Sequence, residues 1–313
     1  MSTQATGPIE EFKRAAWRNS EDMAAFTDRV GTPSPAFVEQ MVEQLHRPPK
    51  GLSPAQVQAM HQAFLQLAPR QHDPDLMMKL AEALALPNDQ LRRSVSRVLM
   101  RAKTKEVLTK LLSYLKHKDP RLREYAKRVL CEAGSLQTFN VLQNAIGTDD
   151  WFGRGEALDV LAHLGQHRSL RVFRKALSYA TPEEVERIIV HLADERVYEE
   201  HAAVAVEVLL LIVRGSGPAQ RKSAMIALGQ VAGPDTASAV AELVWDEDPA
   251  LAQEAIQVLG KLGGAAAIST LSRVASFGHP SARVAAAKGL ALTQSEEAIF
   301  PLIKLLEHDD VLV

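Results

Sequence analysis

A spacing of 31 residues constrains this chain more than any other feature. Leu99, Leu130, Leu161 and Leu192 stand 31 apart, and so do Leu228, Leu259 and Leu290. The step from Leu192 to Leu228 is 36, so five residues are inserted there. Three more columns keep the register. Val95, Ala126, Ala157, Ile188, Ala224, Ala255 and Ala286 lie four residues before each leucine. Leu111, Leu142, Phe173, Val204, Val240, Leu271 and Leu302 lie twelve after it. Leu115, Ile146, Leu177, Val208, Val244, Ala275 and Leu306 lie sixteen after it. A fixed period of this size marks units that cannot bury their apolar faces alone and stack on their neighbours.

The spacing inside one copy sets its secondary structure. Ala126, Val129 and Leu130 fall at i, i+3, i+4, which is one helical face. Phe139, Leu142 and Ile146 fall at i, i+3, i+7 and define a second helix. Each copy is therefore predicted to be a helix A, a short turn and a helix B. Asp119-Pro120, Thr181-Pro182, Gly217-Pro218, Asp248-Pro249 and His279-Pro280 fall on the register at the start of helix A. Proline suits a first helical position, where its missing N–H would be unsatisfied anyway. Asp or Thr before it is a good N-cap. Gly134, Gly165 and Gly263 are expected to end helix A in the left-handed conformation.

The segments 119–130 (DPRLREYAKRVL) and 248–260 (DPALAQEAIQVLG) resemble bacterial HEAT-like repeats of the phycobilisome-lyase type, and the resemblance covers about residues 88 to 310. It implies an all-α fold, a right-handed α-solenoid of two-helix repeats with the 31-residue period. HEAT families often pair an Asp in the turn with an Arg a few residues on, forming a ladder. The resemblance so implies pairs of Asp119 with Arg123 and of Asp150 with Arg154. Arg221 and Arg283 keep only the Arg, and Val185 and Ala252 lack it, so a continuous ladder is not expected.

The ends depart from the pattern. Residues 1–50 are read as an irregular helical N-terminal cap, broken by Gly31-Thr-Pro-Ser-Pro35 and by the proline-rich segment from His46 to Pro54. Residues 51–86 are read as a degenerate repeat, with Phe64, Met77, Leu80 and Leu84 on the apolar columns and Ala68 in place of the leucine. Residues 87–313 hold the regular repeats and end where a further helix A would begin, near position 311. The expectation is that the chain is a piece of a longer protein, or that another surface covers this edge.

Net charge is −2, but it is unevenly spread. Residues 92–175 hold 18 Lys+Arg against 8 Asp+Glu, whereas residues 176–313 hold 10 against 19. In a solenoid this makes a basic middle and an acidic C-terminal half. The basic stretch has two readings: a solvated outer face, or a patch for an acidic protein, a nucleic acid or a phosphorylated ligand. Nucleic acid is the weaker partner, because the acidic half would repel its phosphates. The single cysteine, Cys131, excludes an intrachain disulfide and a multi-cysteine zinc site. The N-terminus has no apolar signal-like run and no segment approaches the length of a membrane span. A soluble, cytoplasmic protein is expected.

No catalytic constellation emerges. His163 and His167 flank Gly165 at a helix end, so they do not share a regular helical face, and neither a metal nor a cofactor is expected. Gly215-Ser216-Gly217-Pro218 lacks P-loop spacing and reads as an inter-repeat turn. The apolar run Leu209 to Val213 before it suggests a longer helix B, adding either core or an exposed docking strip. Cys131 reads as a small helical residue. Trp151 occupies the proline column and, with Phe152, is either an interface anchor or a local plug.

The expected function is that of a non-catalytic scaffold or adaptor binding a protein with an acidic surface. Candidate contacts are Lys110, Lys116, Arg123, Trp151, Phe152, Arg154, Arg168, Arg171 and Lys175. One alternative is a regulatory HEAT module of a larger signalling or assembly protein. The other, implied by the resemblance alone, is an enzyme of the bilin lyase or DNA glycosylase type, for which no catalytic residue can be carried over.

Overall fold

The computed structural model describes residues 7–14, 17, 20–70, 72–101, 104–146, 153–165 and 167–306. All regular structure among them is helical. The chain forms two compact units, residues 1–164 and 165–313.

In the first unit helices A and B alternate: α1 (Pro8–Arg14), α2 (Ser20–Val30), α3 (Pro35–His46), α4 (Pro54–Leu67), α5 (Pro74–Ala83), α6 (Asp89–Leu99), α7 (Lys105–Leu115), α8 (Pro120–Ala133), α9 (Leu136–Ala145) and α10 (Arg154–Gly165). One row packs α2 on α4, α4 on α6 and α6 on α8; the other packs α1 on α3, α3 on α5, α5 on α7 and α7 on α9. The helix pair α2/α3 thus continues the repeat stack into the segment that the sequence pattern reads as an irregular cap. Its apolar side chains, Phe26, Val38, Met41 and Leu45, are as buried as those of the regular copies.

The second unit runs α11 (His167–Ala176), α12 (Pro182–Leu192), α13 (Glu195–Gly215), α14 (Pro218–Val231), α15 (Ala237–Ala241), α16 (Pro249–Leu262), α17 (Gly264–Phe277), α18 (Pro280–Leu292) and α19 (Ile299–Leu306). Here α12, α14, α16 and α18 form one row, while α11 packs on α13, α15 on α17 and α17 on α19. Both units are α-solenoid segments.

The sequence columns are the core. All seven helix-A leucines and all seven residues four positions earlier are fully buried. The helix starts obey capping chemistry. Prolines 120, 182, 218, 249 and 280 each open a helix, and Asp119, Thr181 and Asp248 accept a backbone N–H from the first turn.

Three expectations need correction. Of the expected left-handed glycines only Gly263 has a positive φ, 66°. Gly134 is extended, and what it needs is space: an added Cβ would sit 2.2 Å from the Leu130 carbonyl oxygen. Gly165 is the last residue of α10.

The five-residue insertion lies earlier in its helix than the columns suggest. α13 has a non-helical residue inside it, His201, with φ −137° and ψ 28°. Val204 is 41% exposed, whereas Leu209 and Val213 are fully buried. Counting back from Leu228, Leu209 and Val213 occupy the two helix-B columns, so the extra residues precede Leu209 and are absorbed at the kink. The run from Leu209 to Val213 is chiefly core.

The last copy also departs. On α19 Leu305 is buried, while Ile299, Phe300, Ile303 and Leu306 are exposed. Residues 307–313, where the edge of a further repeat is expected, lie outside the described residues.

Candidate partner-binding surface

A ladder of arginines stands seven residues before the helix-A leucine. Arg92 Nε donates to the Leu84 and Leu86 carbonyls at 2.8 and 2.9 Å, and its Nη2 donates to Asp119 Oδ2 at 2.9 Å. Arg123 donates to the His117 and Lys118 carbonyls and to Glu156 Oε1 at 3.1 Å. Arg221 donates to the Val213 carbonyl at 2.7 Å and pairs with Asp246. Arg283 Nε donates to the Gly278 carbonyl at 2.7 Å.

Each of these arginines ties the end of the preceding helix B to its own helix A. Arg92, Arg123 and Arg221 also reach forward to an acid of the following copy. Asp119 is therefore partnered by Arg92 of the copy before, not by Arg123 of its own copy. The reason is reach. The Arg123 fork is turned back onto the His117 and Lys118 carbonyls and forward onto Glu156, while Asp119 caps α8 through the Arg121 N–H. Burial pushes the Asp119 carboxyl up, but the Arg92 guanidinium and the Arg121 and Leu122 N–H groups outweigh it and hold it below its ordinary value. Asp150 lies outside the described residues.

The predicted contact residues separate accordingly. Arg123 is 13% exposed at its side chain and Arg154 is 6% exposed, so both sit inside the repeat stack. In the first unit Lys110 is half-buried with its ammonium 5.6 Å from the Tyr114 ring centroid, and Lys116 is exposed just after α7. Trp151 and Phe152 lie outside the described residues.

The second unit brings the remaining candidates together on α11. Ser169, Leu170, Val172, Phe173 and Ala176 are buried. Phe173 stacks on His191 of α12, ring centroids 5.9 Å apart and 16° between planes, which fixes the rotation of the helix. Arg168, Arg171 and Lys175, at i, i+3 and i+7, are left on the exposed face. Arg174 joins them and pairs with Glu207 of α13 at 2.7 Å. The sequence reading passes over Arg174, although its place three residues beyond Arg171 puts it on the same side. Arg168, Arg171 and Lys175 have no acidic partner among the described residues.

Groups with catalytic chemistry are placed differently. Burial pushes the Cys131 thiol up to about 11, so it stays protonated at neutral pH. His163 and His167 belong to different helices, α10 and α11. Among the described residues no group of three or more His, Cys, Asp and Glu is placed to hold a metal ion, and no helix is long and apolar enough to cross a membrane.

The sequence model of the HEAT repeats matches residues 108–193 and 206–276. No curated protein matches. Among solved structures, the chain resembles the CpcE–CpcF complex of phycocyanin lyase from Nostoc, at 20% identity over 76% of this chain and 94% of that one, TM-score 0.35. It also resembles human deoxyhypusine hydroxylase, at 18% identity over 89% and 92%, TM-score 0.30. A third is a karyopherin bound to the extreme C-terminus of a protein phosphatase, at 13% identity over 97% of this chain and 44% of that one, TM-score 0.41.

Proposed function

We propose that this chain, which belongs to the HEAT-repeat family, is a non-catalytic scaffold that binds a protein with an acidic surface through the exposed face of α11. The observation that carries the reading is the set of four exposed cations on one short helix, three of them without an acidic partner among the described residues. Holding like charges side by side is unfavourable for the isolated fold, and an acidic partner relieves it. Arginine predominates in the set, and its planar fork suits carboxylates that are partly desolvated at an interface. Lys110 and Lys116 are a second, separate group in the first unit.

The test is affinity purification with the full chain and with the variant R168E/R171E/K175E, followed by binding measurements across salt concentrations. A partner captured by the natural chain should be lost by the variant, and its affinity should fall steeply between about 50 and 300 mM salt. Equal capture of every partner by both proteins would refute the reading. The variant should fold normally, because all three positions are exposed.

A further inference from the structure

The arginine ladder has a gap with a cavity in it. At 252 the ladder position is alanine, and the residue in line with Asp119 in the following copy is His279, so guanidinium and acid are missing together. At the other gap the place is taken by Val185, a larger apolar side chain that is buried. At 252 the side chain is smaller. A pocket of about 470 Å³ opens there, lined by Val244, Trp245, Ala252, Ile256, Val274 and His279 among others.

Several features specify the occupant. Leu84, Val213 and Val244 each stand fifteen residues before the helix-A leucine of the following copy, Leu99, Leu228 and Leu259. The Leu84 and Val213 carbonyls receive the guanidiniums of Arg92 and Arg221. Val244 is the equivalent residue before a helix A that has no arginine to offer it. Trp245, 50% exposed, presents an indole at the rim, a surface on which a cation stacks. Asp246, Glu247 and Asp248 follow directly, within a half of the chain where acids outnumber bases. The neighbouring cations are already committed: Arg221 to Asp246 and the Val213 carbonyl, Arg283 to the Gly278 carbonyl.

We propose that this pocket receives an arginine side chain of a partner polypeptide, which takes the place of the arginine absent at position 252. The guanidinium would donate to the end of the preceding helix B and lie against Trp245, while its methylene stem lies along Ala252 and Ala282, which are half-buried at the pocket wall. This site is independent of the α11 surface and selects a basic segment rather than an acidic one.

The test uses the full chain and the peptide acetyl-Gly-Arg-Gly-amide, with citrulline and norleucine analogues as controls. The Trp245 indole N–H resonance reports binding and is assigned with W245F. The arginine peptide should shift that resonance saturably, and the uncharged citrulline analogue should bind about tenfold more weakly, the usual difference between charged and neutral hydrogen bonds. A252R and A252M, which fill the pocket from within, should abolish the shift, and A252S should retain it. R168E/R171E/K175E should leave it unchanged. No saturable shift, equal binding of norleucine, or undiminished binding to a folded A252R or A252M protein would each overturn the proposal.

Discussion

Arg92 and Asp119 lie 27 residues apart in sequence, yet the guanidinium of one donates to the carboxylate of the other at 2.9 Å across the boundary between two repeats. The Arg92 side chain is 5% exposed and also holds the Leu84 and Leu86 carbonyls, so one residue closes the end of α5, anchors α6 and reaches α8. Removing it leaves two carbonyls without this donor and Asp119 without its guanidinium, held only by backbone N–H groups. Arg92→Met should destabilise the chain by about 3 kcal/mol, the usual cost of breaking a buried pair. The neighbouring Arg121, 71% exposed and paired with Asp89, should cost about 0.5 kcal/mol or less when changed to Ala. Urea unfolding of the two variants checks the contrast.

Gly260 of α16 faces Gly289 of α18 backbone to backbone. A Cβ on Gly260 would stand 2.8 Å from the Gly289 Cα. The obstruction is main chain and cannot rotate away, so the helices must separate. Gly260→Ala should cost about 1–3 kcal/mol by overpacking, more than offsetting the gain in helix propensity. At exposed Gly215, where nothing lies within 4 Å of the added atom, the same change should not carry that cost. Thermal melting of both variants makes the comparison.

The fold was legible because small and aliphatic residues at fixed spacing carry it. Leu99 and its equivalents, and Val95 and its equivalents, predict two rows of helices without reference to any other feature. The ladder was legible only in part. The column of arginines can be read from the sequence, but which acid each one meets depends on the rise between stacked copies. The family resemblance implied Asp119 with Arg123, and three-dimensional reach gave Arg92. That the α2/α3 pair continues the stack was hidden because its loops break the period, although Val38, Met41 and Leu45 keep a helical face. The exposed set on α11 was legible as charge, and Arg123 and Arg154 as ladder positions; that the ladder holds those two too deeply for contact was not.

His61 of α4 is 5% exposed and its Nδ1 lies 2.9 Å from Ser94 Oγ of α6. Burial lowers its pKa from 6.5 to about 4. The folded chain therefore holds it neutral over a range where the unfolded chain takes up a proton. Its contribution is complete above pH 6.5, declines as the pH falls, and is gone below about pH 4, a loss on the order of 3 kcal/mol. His61→Gln, uncharged at any pH and still able to bond Ser94, should remove this component. Chemical denaturation at pH 7 and pH 4.5 should show a smaller drop for the variant than for the natural chain, and equal drops would exclude the assignment.

The placement of the insertion in α13 gives a final prediction, because two readings of the same helix assign its core differently. The regular columns name Val204 and Val208; counting back from Leu228 names Leu209 and Val213. Val208 is buried on either reading and decides nothing. Val204 and Leu209 do decide, since one is 41% exposed and the other fully buried. If the kink at His201 absorbs the five extra residues, Leu209→Ala opens a cavity and should cost about 2–5 kcal/mol. Val204→Ala, on the exposed side, should stay within about 0.5 kcal/mol. The opposite order of the two costs would place the insertion after Leu209 and move the kink out of its explanation. The two effects differ by enough that a single urea titration of each variant separates the readings.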